Sequence, residues 1–371
     1  MNSSDVRLIA FYLPQYHPIP ENDGWWGKGF TEWTNVAKAV SLFPGHYQPH
    51  VPADLGFYDL RLPQVRSAQA QLARQYGIHG FCYWHYWFKG RQLLELPFKE
   101  VLSTAQPDFP FCLAWANENW TRRWDGEDQQ VLMPQEYSLE DDVKHIRWML
   151  QAFRDPRYIT IDGKPLVLIY RVNNLPDPTE TARLWREEAS REGFPGLYLC
   201  TITSLPVLDF APHTIGFDAA VEFQPDWGRL PDREPPARNT VMGKLFKQFA
   251  PQGRAAYANN SVRSYPRLAQ AMMALADPAY KRFPCVTPGW DNSPRRKSGA
   301  NIFKDSDPVT YGRWLRHAMR QSARRFEGEE RLVFINAWNE WAEGNHLEPD
   351  QQWGHAYLEE TFRAIVAADE P

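Results

Sequence analysis

Apolar residues in this chain fall into short, near-continuous runs separated by longer stretches of helical periodicity. The runs cover residues 7–13, 77–88, 110–117, 164–171, 197–203, 218–224, 283–291 and 331–338. They are rich in Val, Ile, Phe, Tyr, Leu and Cys and rarely alternate with polar residues, the pattern of parallel strands covered on both faces. Helical periodicity predicts helices over 62–76, 93–105, 139–153, 180–192, 265–276, 308–326 and 354–367. The crossover after Thr203 carries the weakest helical pattern. Eight strands in this alternation predict an α/β fold, a (β/α)8 TIM barrel, as a single domain over residues 1–371. A doubly wound open sheet would need a glycine-rich first turn, and Leu13-Pro14-Gln15-Tyr16-His17-Pro18 has none.

The connections are lopsided. Helix-to-strand links are short, as in Tyr76-Gly77-Ile78, whereas the segments after strands are long: 14–61, 118–138, 225–264 and 292–307. Long loops at the carboxyl ends of barrel strands are where such barrels keep their sites. Residues 225–264 are the least regular and predict a loop excursion.

Composition narrows the partners. Of 371 residues, 14% are aromatic, with 16 Trp, and the net charge is −4. That balance argues against a nucleic-acid partner or a polybasic membrane contact. No apolar run approaches a membrane span, and the first residues lack a signal-peptide pattern. Cys82, Cys112, Cys200 and Cys285 all sit inside apolar runs at no metal spacing, reading as buried thiols of a reducing compartment. Cytoplasmic location is therefore expected; oligomeric state is not readable.

The candidate chemistry lies at strand ends. After the last run come Trp338-Asn339-Glu340-Trp341-Ala342-Glu343-Gly344, then His346 and Glu348. An unpaired buried carboxylate is costly, so such a cluster must be well paired or line a wet cleft. Glu340 and Glu343, three apart, share one side of a helical turn. Carboxylates beside tryptophans suit a sugar site: acids for the C–O bond, flat apolar faces for the ring. The third strand ends similarly, in Trp115-Ala116-Asn117-Glu118-Asn119-Trp120, making Asn117, Glu118, Trp115 and Trp120 candidate sugar contacts, or Glu118 one member of a carboxylate pair. The bland reading of Glu118 is a salt bridge to Arg122 or Arg123. The first long loop adds Tyr16, His17, Trp26, Glu32 and Trp33, and the end of the second strand adds His85 and Tyr86. Asn339, Trp341, His346 and Glu348 complete the expected substrate contacts.

Three further patterns read as structural. His46 and His50 are spaced as a helical zinc pair, but Pro49 breaks that helix, so no metal is expected there. Arg295-Arg296-Lys297 reads as a solvated basic turn more readily than as a phosphate site. Asp305-Ser306-Asp307 precedes Pro308 and a long helix, and reads as an N-cap rather than a metal-binding Asp-x-Asp.

The blocks Ala10-Phe11-Tyr12-Leu13-Pro14-Gln15-Tyr16-His17, Trp25-Trp26-Gly27-Lys28-Gly29-Phe30-Thr31-Glu32-Trp33, Ala116-Asn117-Glu118-Asn119-Trp120 and Trp338–Gly344 together resemble the WbsX-type proteins. These are bacterial proteins of surface-polysaccharide gene clusters, often labelled glycosyltransferases. The piece Asn339-Glu340-Trp341-x-Glu343-Gly344, ending in Glu348-Pro349, is also similar to glycoside hydrolase family 99, the endo-α-mannosidases and endo-α-mannanases. That family has His at the position of Ala342 and Gln at that of His346, so ring contacts near the acids differ. The resemblance implies a (β/α)8 barrel acting on α-mannoside-like bonds of an oligosaccharide or polysaccharide, retaining, without metal or cofactor. It implies Glu340 as the base that deprotonates the sugar 2-hydroxyl, giving a 1,2-anhydro sugar, and Glu343 as the acid/base. Glu343 should then carry a raised pKa beside Trp341, and Glu340 should stay ionised against a donor such as Asn339 or a Tyr. A conventional carboxylate pair of Glu118 and Glu340 is the competing arrangement. The rival readings are a glycosyltransferase, for which no phosphate cradle is visible, and a non-catalytic glycan-binding barrel.

Overall fold

The computed structural model of the protein describes residues 6–122, 127–203, 211–235 and 256–368. Nine parallel strands form a nearly closed barrel: β1 (Arg7–Tyr12), β2 (Gly80–Phe88), β3 (Phe111–Trp115), β4 (Lys164–Ile169), β5 (Tyr198–Thr203), β6 (Ala219–Glu222), β7 (Arg282–Phe283), β8 (Cys285–Val286) and β9 (Leu332–Ile335). Each pairs with its neighbour in order from β1 to β7, β9 pairs back onto β1 with Leu8 opposite Val333, and β8 pairs with β9. The helices are α1 (Pro20–Trp26), α2 (Glu32–Ala37), α3 (Pro63–Gln75), α4 (Leu96–Thr104), α5 (Leu139–Phe153), α6 (Pro178–Arg191), α7 (Tyr265–Met273), α8 (Pro308–Arg325) and α9 (Ala356–Ala368).

The seventh strand corrects the expectation. The run 283–291 was expected to be one strand; instead two short pieces flank Pro284. Phe283 pairs with Val221 of β6, Cys285 pairs with Phe334 of β9, and the Pro284 carbonyl accepts from Phe334 N at 2.9 Å. Proline offers no N–H for a continuous ladder. The strand therefore hands its pairing from one neighbour to the other at that residue. After Val286 the chain leaves the barrel for the rim.

The helix starts follow local chemistry. Asp177 and Asp307 each accept a backbone N–H three residues on, with Pro178 and Pro308 next in line. Asp307 is thus the cap that the sequence suggests. Residues 204–210, in the crossover with the weakest helical pattern, lie outside the described residues, and 212–215 form only a 3-10 turn. Of the expected excursion, 236–255 also lie outside them. Its last strand, Ser261–Ser264, pairs in parallel with Asn301–Lys304 on the rim. Among the described residues no helix is long and apolar enough to cross a membrane.

Inside the barrel, Phe11 stacks on Trp84 (centroids 5.0 Å apart) and meets Phe223 and Phe334 at 5.3 and 5.6 Å. This aromatic plug is the floor on which the site stands. Strand alternation sends the neighbours of Trp84 outward: Tyr83 packs on Phe98 of α4, and His85 on His145 and Trp148 of α5. Where β2 begins, a Cβ on Gly80 would lie 2.6 Å from the Pro110 carbonyl oxygen and 2.9 Å from Ile159 Cδ1. Gly80→Ala should therefore destabilise the protein by about 1–3 kcal/mol through forced separation of β2 and β3. Urea unfolding checks this; an unchanged midpoint would show that the strands can part freely.

Candidate active site

Beyond β9 the chain forms a small antiparallel hairpin in which Asn339 pairs with His346 and Glu340 with Asn345. Its tip, Trp341–Glu343, is a 3-10 turn closed by Gly344 at φ 56°. A Cβ on Gly344 would sit 3.1 Å from Asp291 Cβ, so both the left-handed backbone and the close approach require glycine. The Asp291 N–H donates to the Glu343 carbonyl at 2.6 Å, seating the turn against the rim.

Glu340 and Glu343 project from this turn to the same guanidinium. Arg295 donates from Nη2 to Glu340 Oε2 (3.1 Å), from Nη1 to Glu343 Oε1 (2.6 Å) and from Nε to Glu32 Oε1 (2.7 Å). Glu32, in α2, is fully buried. Arg295 comes from the expected basic turn, which the structure corrects: its side chain is 14% exposed and is ringed by three carboxylates. Burial raises the Glu340 pKa, to about 8, helped by the neighbouring Glu343 charge and opposed by Arg295. Burial likewise raises Glu343, against Arg295. Both acids are raised, whereas the expected contrast had Glu343 raised and Glu340 ionised. The donor on Glu340 is Arg295, not Asn339. Burial opposes the charge on Arg295, but Glu32, Glu343 and Glu340 outweigh it and hold the group firmly protonated.

Both acids line a cavity of about 490 Å³ at the carboxyl ends of the strands. Its floor includes Trp84, Tyr170 and Phe223. One wall holds Trp25, Trp120 and Tyr86, with Trp120 meeting the other two rings at 5.9 and 5.1 Å. Trp227 and Trp290, 5.1 Å apart edge to face, make another, and Trp26 lies on the rim. Glu118 lines the same cavity. Its partner is Arg171, at 3.1 Å from Nε, whose guanidinium lies 3.9 Å over the Tyr170 ring. Gln15, Asn22 and Trp290 are among the lining residues, and their donors Gln15 Nε2, Asn22 Nδ2 and Trp290 Nε1 are buried with no partner among the described residues. Such groups are costly to bury.

The remaining expected contacts are near the cavity but do not line it. Asn339 clasps the backbone of Leu13, accepting from its N–H at 2.7 Å and donating to its carbonyl at 3.0 Å. Asn117 does the same to Arg171, at 2.7 and 2.8 Å. Tyr16 donates to the Asn339 carbonyl and accepts from Trp341 N. Glu348 is buried beneath the hairpin, accepting from Trp341 Nε1 (2.6 Å), Tyr58 (2.8 Å) and Gln69 (2.6 Å). Trp33 donates to the Tyr58 carbonyl, His17 bonds the Pro14 carbonyl, and Trp115 donates to the Trp87 carbonyl. His85 faces α5, because it and Tyr86 are adjacent on one strand and only Tyr86 points inward. His346 faces a second cavity. Sequence reading missed Arg295, Arg171, Gln15, Asn22, Trp227 and Trp290. The available signal for Arg295 was a charge imbalance: three glutamates at one barrel end demand a cation from a loop at that end.

The site is thus an acidic pair in an aromatic cleft at the mouth of an α/β barrel. The sequence matches the family described as glycosyltransferase WbsX over residues 8–361, so the chain belongs to that family. It is 43% identical over 363 residues to the WxcX protein of Xanthomonas campestris pv. campestris, and the match covers 98% of this chain. The chain spans about half the length of these relatives (50%). The fold is similar to that of the family 99 endo-α-mannosidase of Bacteroides thetaiotaomicron, at TM-score 0.56 and 15% identity over 98% of this chain and 97% of that one. In its complex with bis-tris propane the values are 0.58, 16%, 98% and 97%. A glycoside hydrolase-like protein matches at TM-score 0.57 and 15% identity, over 97% and 94% of the two chains.

Replacing Arg295 with Met should cost about 3–5 kcal/mol of stability, since it strands buried carboxylates without their cation. The deficit should grow with pH. Glu340 and Glu343 would move further above their unfolded-state pKa, the folded protein would bind more protons than the unfolded one, and stability would fall as pH rises. Urea unfolding at pH 5 and pH 8 checks this; an equal deficit at both would show that Arg295 acts by packing alone.

Proposed function

We propose that the protein is a glycan-processing enzyme, and within that class a retaining glycoside hydrolase that cleaves α-mannoside-like bonds of a bacterial surface glycan. The observation that carries this reading is the pair Glu340 and Glu343 on one short turn, facing an aromatic cleft with a proton-retaining environment. In the proposed reaction Glu340 takes the proton of the sugar 2-hydroxyl while that oxygen attacks C1. The C1–O bond to the leaving group breaks, and Glu343 gives its proton to the departing oxygen. Water, deprotonated by Glu343, then opens the 1,2-anhydro ring at C1, and the 2-oxygen recovers its proton from Glu340. Both carboxyls return to their starting states.

The raised pKa of Glu340 fits a base for a weakly acidic hydroxyl. Base strength grows with pKa as long as the group is ionised at the working pH. Tryptophan walls offer stacking faces for rings on either side of the cleaved bond. Glycosyl transfer, which the family's description names, is the second reading; Arg171 and Arg296 line the cleft and are the cations it offers to a diphosphate. Thermal stabilisation by nucleotide sugars but not by oligosaccharides would favour it.

Glu340→Gln and Glu343→Gln should each lower turnover of α-mannoside oligosaccharides by about 10²–10⁴-fold, with fold and sugar binding retained. Chromatography of released products and calorimetric binding check this; full activity in either variant would remove its assigned role. The acid limb of kcat/KM against pH should lie above the ordinary glutamate range, because Glu340 must lose its proton to act and burial raises its pKa. A limb near pH 4 would contradict that assignment.

A further inference from the structure

We propose that His50, His346 and Asp350 form a binding site for one divalent transition-metal ion of the zinc class, separate from the cleft. The three side chains sit at a second cavity of about 490 Å³ that shares Trp290 with the first. Their ligand atoms all lie within 4.8 Å of one another. His50 Nδ1 is 2.8 Å from His346 Nε2, and His346 Nε2 is 3.8 Å from Asp350 Oδ2.

His346 and Asp350 are already oriented, whereas His50 Nδ1 donates to His346 Nε2 in the ion-free protein and must pass its proton to Nε2, with the two rings parting slightly, for both nitrogens to hold an ion. His346 Nδ1 lies 2.9 Å from the Glu348 carbonyl, so that nitrogen carries the proton and Nε2 presents its lone pair. A metal-bound imidazole is usually held in this way, by a backbone carbonyl on its far nitrogen. Asp350 Oδ1 is committed to Gln352 N (2.9 Å) and Trp353 N (2.6 Å), which leaves Oδ2 turned toward His346. The rings are clamped as well. Tyr47 stacks on His50 at 4.1 Å and Trp341 on His346 at 3.7 Å.

A second observation points to a cation. Asp350 is 2% exposed; its neighbours are two backbone N–H groups, the Tyr47 hydroxyl and His346, and among the described residues no Lys or Arg pairs with it. A buried carboxylate without a counter-charge is costly. Two imidazoles and a carboxylate are borderline ligands suited to zinc, which takes them at about 2.0–2.2 Å in a tetrahedron. A fourth position would face the cavity, and His50, only partly buried, leaves a path in. The sequence pair His46 and His50 is not this site: His46 turns away to Asp291 at 2.7 Å. The ligands instead join segments 296 residues apart. A bound ion would fasten the loop at His50 to the hairpin whose other strand carries Glu340.

The test loads chelator-stripped protein with zinc or cobalt(II) alone. About one equivalent of zinc should be retained, Tm should rise with zinc, and cobalt should show the visible absorption of a low-coordinate site. His50→Phe, which keeps the stack on Tyr47, and Asp350→Asn should each lose the retained zinc and the Tm rise. Equal zinc retention in both variants, or no retention and no Tm shift in the unaltered protein, would overturn the site and leave a plain His–His hydrogen bond. If a variant fails to fold, the unaltered protein's stoichiometry and Tm decide. No readout uses the cleft, so the result is independent of the glycoside-hydrolase reading.

Discussion

One guanidinium among three carboxylates organises the active end of this barrel. Arg295 joins α2 through Glu32, the rim after β8 through its own backbone, and the hairpin after β9 through Glu340 and Glu343. Two unit charges 4 Å apart interact by about 4 kcal/mol at the effective dielectric of a protein surface, so three unscreened carboxylates could not share this space. The cation permits their approach but does not balance them. One positive charge against three acids leaves a deficit that favours proton uptake, and both acids in the cleft have raised pKa values for that reason as well as for burial. A proton held near neutral pH is what an acid for C–O cleavage must supply.

The two Asn-Glu pairs show how the chain divides labour between adjacent residues. Asn117 and Asn339 each clasp the backbone of a neighbouring segment with both ends of the amide, while Glu118 and Glu340 enter the cleft. Successive side chains of extended backbone face opposite ways, so the asparagine fixes the strand end that aims the glutamate. Glu348 serves similarly at one remove. It grips Trp341, and that ring in turn holds the turn between the two acids. These are positioning residues, and their chemistry is that of a buried, fully satisfied hydrogen-bond network.

The barrel was legible because its signal is local. Strand and helix runs follow from apolar periodicity, and the caps at Asp177 and Asp307 follow from a few consecutive residues. Strand seven was legible only as an apolar run, since nothing in 283–291 says that Pro284 trades partners rather than ending a strand. The acids after the last strand were legible because Glu and Trp are out of place in a core. Which motif residues reach the cleft was not, because one-residue shifts along a strand reverse facing: Tyr86 enters and His85 does not. Arg295 was hidden for a different reason. Its partners lie 263, 45 and 48 positions away, and only the fold brings them together.

The same arginine bears on how two acids held by one cation could still do opposite work. Each carboxylate gives Arg295 a single oxygen, Oε2 from Glu340 and Oε1 from Glu343. A carboxyl group can accept from a guanidinium at one oxygen and carry its proton, or its lone pair, at the other. The bonded oxygen is fixed, and the second is thereby aimed. Arg295 need not release either acid for the proposed reaction; it sets which oxygen of each is turned away from the guanidinium. A lysine there would present a point charge rather than a planar fork, and could not index two carboxylates at once. The two acids, three residues apart on one tight turn, reach the two terminal nitrogens of a single guanidinium.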